Sequence, residues 1–121
     1  MRRDMDLIRE ILLAVESHEH GYAPSKISVE GYTDEQVGYH SYMLLQANLV
    51  EGLNRNLDQA PGPSAIILNL TWEGHEFLAS SRSPPIWAQA KQLIAKAGDG
   101  SFGVWQTVLT ELVKQSLGVG K

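Results

Sequence analysis

Residues 33–52, "TDEQVGYHSYMLLQANLVEG", restrict the fold of this chain more than any other stretch. Thr33 is a helix N-cap by type, Asp34 and Glu35 suit a positive first turn, and Gln36 stands where a capping box places its amide. Val37, Ser41 and Leu44, flanked by His40 and Ala47, recur at three and four residues and define an inward face. Asn48 is suited to the left-handed conformation that ends a helix, and "LVEGL" then reads as a strand. The chain therefore passes from helix to strand with no linker between them.

The flanking segments extend that reading. Residues 4–18 place Leu7, Ile8, Ile11, Leu12 and Val15 on one side of an amphipathic helix of about four turns, with Asp4 or Asp6 at its positive end. "HEHGY" closes it, with Gly21 free to turn left-handed. "KISV" has short strand character between Pro24 and Gly31. "NRNLDQAPGPS" is a long hairpin tip, and "AIILNL" is the return strand. Thr71 caps "WEGHEFLASS", in which Trp72, Phe77 and Leu78 are expected to be core contacts, and "SRSPP" ends that helix. Two further helices follow, 86–97 and 102–117.

The class is α+β, mostly α: a winged helix-turn-helix-like unit over residues 1–83, with a small antiparallel hairpin as its wing and a C-terminal helical extension over 84–121. At 121 residues these form one domain overall, the extension packing on the same core or on a second subunit. A standard winged helix carries a small second helix where this chain has only "PSKISVEGY", so that helix is absent or replaced by extended chain.

Hydrophobic content of 43% with 20% charge is that of an ordinary folded chain. The absence of cysteine excludes disulfides and thiolate chemistry. "MRRDMDLIRE" is no signal peptide and no apolar run approaches spanning length, so a cytoplasmic protein is expected, with no membrane association. Asn69-Leu70-Thr71 is then a chance sequon. Ten basic against fourteen acidic residues give a formal charge of −4, which removes any global attraction to phosphate.

"MRRDMDLIREILL", "GYTDEQVGYHSYMLLQANLVEG" and "LTWEGHEFL", spread over residues 1–78, together resemble a domain-of-unknown-function family of small bacterial and phage proteins, often prophage-encoded. Its members begin with a similar Arg-Asp-Met-Asp-Leu-Ile-Arg run. The resemblance implies a winged-helix-like fold and an origin on mobile elements, and it brings no activity or site residues. Separately, "VGYHSYMLLQANLV" is similar to the recognition-helix stretch of metal-sensing and multidrug-resistance repressors, matching at Val37, His40, Leu44, Ala47, Leu49 and Val50. Tyr39 stands where those repressors often have arginine, and Ser41 where they have leucine.

From Ile27 to Asn54 there is no Lys or Arg, while Glu30, Asp34, Glu35 and Glu51 are all present. DNA binders draw much of their affinity from neutralising phosphates, so this gap weighs against DNA reading. The helix face opposite Val37 holds Glu35, Tyr39, Tyr42, Met43 and Gln46, and tyrosine and methionine are enriched at protein interfaces. Those side chains either pack against the chain's own later helices or form a partner-binding face. Asn54, Arg55 and Asn56 at the wing tip are a candidate backbone contact for nucleic acid, although a lone loop arginine is commonly just solvated.

His18, His20, His40, His75 and Glu76 raise the idea of a zinc site, but the first two fall at a helix end with a spacing that suits a strand. No metal and no cofactor are expected. His40 is read as a hydrogen-bonded packing residue. Trp72, Trp87 and Trp105 are read as core and anchor residues rather than a ligand pocket. "AGDGSFG" lacks the strand-to-helix setting of a phosphate loop, and no nucleophile has a base partner, so no enzyme is expected. The last helix, with Phe102, Trp105, Leu109, Leu112, Val113 and Leu117, is apolar over more than a third of its circumference. Trp105, Leu109 and Leu112 are therefore candidate homodimer contacts. The expected function is a non-enzymatic binding module or regulator that contacts a protein, with a dimeric DNA-binding repressor as the alternative.

Overall fold

A computed structural model describes residues 1–55 and 62–118. Its elements are α1 (Met5–Glu16), α2 (Asp34–Gln46), β1 (Val50–Asn54), β2 (Ala65–Leu70), α3 (Trp72–Ser81), α4 (Pro84–Ala95) and α5 (Phe102–Ser116). The fold is α+β and mostly helical, with one two-stranded antiparallel hairpin. The chain divides into two compact units, Met1–His75 and Glu76–Lys121.

In the first unit, α1 and α2 pack on one face of the hairpin. Leu7, Ile11, Leu12 and Val15 from α1, Val37 and Leu44 from α2, and Val50 and Ile67 from the strands are all buried there. Asp4 caps α1, its Oδ1 accepting from Leu7 N at 3.2 Å. Thr33 and Gln36 form the reciprocal capping box of α2, with Gln36 N–H donating to Thr33 Oγ1 at 3.1 Å and Thr33 N–H donating to Gln36 Oε1 at 2.8 Å. Asn48 takes φ 61°, and Leu49 N–H reaches back to Leu44 O at 3.1 Å, which ends the helix and aims the chain into β1.

Between α1 and α2 the described chain holds neither helix nor strand. The expected strand at "KISV" does not form. One backbone bond, Ala23 N–H to Leu68 O at 2.7 Å, touches β2, and among the described residues no backbone bond joins residues 24–29 to the hairpin. Pro24 offers no N–H to continue the ladder.

The hairpin pairs Val50 with Leu70, Glu51 with Asn69, Gly52 with Ile67, Leu53 with Ile66 and Asn54 with Ala65, with an irregularity at Glu51/Gly52. A Cβ on Gly52 would lie 2.2 Å from Ile66 O, so this crossing requires glycine. Thr71 joins hairpin to helix: its Oγ1 donates to Asn48 O at 2.7 Å and accepts from Gly74 N at 3.1 Å. The cap expected at Thr71 is thus made.

The second unit packs α4 against α5. Trp87 and Trp105 stack at 4.8 Å, and Phe77 lies edge-on to Trp87 at 6.3 Å and 5.1 Å from Phe102. Helix α4 begins at Pro84, two residues before the expected start at 86. Ser83 caps it, and prolines are tolerated in the first turn, where no backbone N–H partner is lost.

Candidate partner-binding surface

The spacing of α2 sorts most of its side chains as the sequence implied. Val37, His40, Ser41 and Leu44 are buried, but Ala47, expected on the same inward flank, is exposed, because the helix ends at Gln46 and Ala47 is its C-cap. Around the helix from them, Glu35 and Gln46 are exposed, and Tyr39, Tyr42 and Met43 are half-buried. Tyr39 and Tyr42 stack with centroids 6.3 Å apart at 29°, and Gln46 Nε2 donates to the Tyr42 hydroxyl at 2.9 Å. The face is thus a short ordered ledge of aromatic and amide groups, with a carboxylate at one end and no cation along the helix. Partial burial and mutual contacts reduce the entropy these side chains would lose on binding.

Behind this ledge sits a polar junction. Asp4 N–H donates to His40 Nε2 at 2.9 Å, which leaves the ring proton on Nδ1, 2.8 Å from Gln36 O. Tyr32 Oη donates to Asp4 Oδ2 at 2.9 Å, so both Tyr32 and His40 hold the start of α1. Burial, the hydrogen bond to Asp4 and the nearby carboxylates push the Tyr32 phenol up to about 12, because each disfavours the phenolate. His40 is a packing residue with both ring nitrogens engaged.

The remaining histidines do not gather. His18 and His20 are exposed with ring centroids 5.9 Å apart, and His20 lies 3.1 Å from Glu19. Among the described residues no three His, Asp or Glu side chains come together as metal ligands. Among them, too, no helix is long and apolar enough to cross a membrane.

At the wing, Asn54 ends β1 exposed and Arg55 N–H donates to Ser64 O at 2.9 Å, while Asn56 lies outside the described residues. The outward face of the hairpin carries apolar side chains that the sequence reading left unassigned: Leu53 and Ile66 as a cross-strand pair, and Leu68 beyond them. Tyr22, beside the Ala23–Leu68 bond, is exposed as well. The signal was present in "AIILNL", where an unbroken apolar run leaves no polar side to face water.

Trp72 is not a core contact. It is 76% exposed at the first position of α3. The buried positions of that helix are 74, 77, 78 and 81, and Trp72 lies roughly 140° around the axis from Phe77. On α5, Trp105 and Leu109 are buried in the single chain and Leu112 is half-buried, while Val104 and Leu117 are exposed. A subunit contact on this helix would have the stripe of Val104, Val108 and Leu112 to use, with Leu117 just past the helix end on another side.

The family model described as "Hypothetical protein (DUF2513)" matches residues 2–100. A Haemophilus influenzae protein described as "Uncharacterized protein" is 34% identical over 122 residues, spanning 97% of this chain and 99% of its own length. No solved structure matches.

Proposed function

The chain belongs to the DUF2513 family, and we propose that it is a non-enzymatic, winged-helix-like binding module that regulates a protein partner, carried originally by a prophage or similar mobile element. The observation that supports this reading most is the α2 ledge: a stacked Tyr39–Tyr42 pair, half-open to solvent, braced by Gln46 and free of cations. Aromatic anchors that are already ordered supply contact area at low entropic cost. Glu35 at one end, with Asp34 beside it, favours a partner that brings a basic group. The same lack of cations works against the alternative, a DNA-binding repressor.

Photocrosslinking tests the reading directly. With benzoylphenylalanine at position 43, irradiation in lysate of the native host should give a discrete protein adduct that survives nuclease and disappears in the Tyr39→Ala/Tyr42→Ala variant. Retention on DNA at low salt that nuclease abolishes, with no protein adduct, would replace this reading by the repressor.

A further inference from the structure

The stretch without cations, 27–54, is bounded in sequence by Lys26 and Arg55, and the fold brings both bounding residues to one groove. This groove has a volume of about 420 Å³. Val37, Gly38 and Ser41 of α2 form its floor, residues 24–27 one wall, and residues 64–67 the other. At Gly38 the missing side chain leaves room for the Ser64 hydroxyl, just ahead of β2, since a Cβ there would stand 2.8 Å from Ser64 Oγ.

The second wall is the edge of β2 that no strand pairs among the described residues. Arg55 N–H bonds Ser64 O, and in an antiparallel ladder bonded and non-bonded pairs alternate. Leu53–Ile66 is then a bonded pair, while Asn54–Ala65 and Gly52–Ile67 are non-bonded pairs. The N–H and C=O of Ala65 and Ile67 consequently point away from β1, toward the groove. Among the described residues they have no backbone partner there, the nearest bond being Ala23 N–H to Leu68 O. Edges of this kind add an extended chain.

The charges say what kind of chain. Lys26 Nζ lies 3.5 Å from Asp34 Oδ2, but both side chains are more than 70% exposed, so the pair is weak and screened. Arg55 has no ion-pair partner among the described residues. The groove therefore carries two cations against one carboxylate on a molecule whose formal charge is −4. We propose that this groove takes an extended peptide bearing an acidic side chain, added to β2 as a third strand, its carboxylate at the end marked by Arg55 and Ser64. Ala65 and Ile67 supply the backbone ladder, small side chains of the peptide face Val37, Gly38 and Ser41, and Lys26 and Arg55 select the charge. This surface is separate from the Tyr39–Tyr42 ledge.

A phage-displayed random heptapeptide library selected on the immobilised full chain tests the proposal. Enriched peptides should share an Asp or Glu, bind the Lys26→Gln/Arg55→Gln variant about tenfold more weakly, and weaken with added salt. Titrated into ¹⁵N-labelled protein, such a peptide should shift and protect the Ala65 and Ile67 amides. Methylating its backbone nitrogens should cost about tenfold in affinity, and Tyr39→Ala/Tyr42→Ala should leave its binding unchanged. The proposal is overturned by no enrichment, by equal affinity for the doubly substituted variant, or by shifts confined to the Tyr39–Tyr42 ledge.

Discussion

Two single residues show how position outweighs type. Gly74 sits in the first turn of α3, where alanine would ordinarily gain about 1 kcal/mol of helix propensity. A Cβ there would lie 2.1 Å from Leu49 O, and that carbonyl is held by Thr71 N–H at 3.2 Å. The clash is with backbone that cannot swing aside, so Gly74→Ala is expected to lower stability by about 2 kcal/mol in urea unfolding, and an unchanged midpoint would refute the contact. Tyr32 offers a pH signature. Its folded value, about 12, lies above the unfolded value of 10.0, so the folded chain keeps a phenol proton that the unfolded chain has already lost. The contribution is whole below about pH 10 and is lost as pH rises toward 12. Stability measured across that window should fall less steeply in Tyr32→Phe than in the parent chain. Neither effect was legible in the sequence, because Leu49 O and Asp4 become neighbours of Gly74 and Tyr32 only through folding.

At the scale of elements, local signals decided what formed and tertiary packing decided which face was used. The capping box of α2, the Asn48 exit and the strands either side of the hairpin tip could all be read directly, since each depends on residues within a few positions. "KISV" misled because β-branched residues favour a strand only where a partner completes the ladder, and one bond to Leu68 does not. Trp72 misled for a related reason: size suggested burial, but the buried stripe of α3 starts at Gly74. Trp72→Lys should accordingly change stability by less than about 0.5 kcal/mol. Phe77→Ala, emptying a site between the Trp87 and Phe102 rings, should cost about 3–5 kcal/mol. Calorimetry on both variants separates the two faces, and a large loss from the Trp72 change would contradict the assigned helix phase.

For the whole molecule, the apolar helix α5 poses the question of self-association. Leu109 is fully buried within one chain. Leu109→Asp should therefore collapse the circular dichroism signal, whereas Val104→Asp, at an exposed position of the helix, should leave it intact and weaken a dimer formed through the Val104–Leu112 stripe, as light scattering would report. A folded Leu109→Asp monomer would show instead that this position belongs to an interface between copies. The sequence by itself determined the five helices and the hairpin in order, the caps at Thr33 and Thr71, and most of the inward stripes of α1 and α2, because those follow from spacing and from backbone groups only a few residues apart. It also showed the gap in cations from Ile27 to Asn54. Only the tertiary structure decided that Lys26 and Arg55, on either side of that gap, line one groove, and that the Ala65 and Ile67 backbone opens onto it. The reason is physical: strand register and the approach of α2 to the chain entering β2 are set by contacts between segments far apart in the chain, which local spacing does not encode.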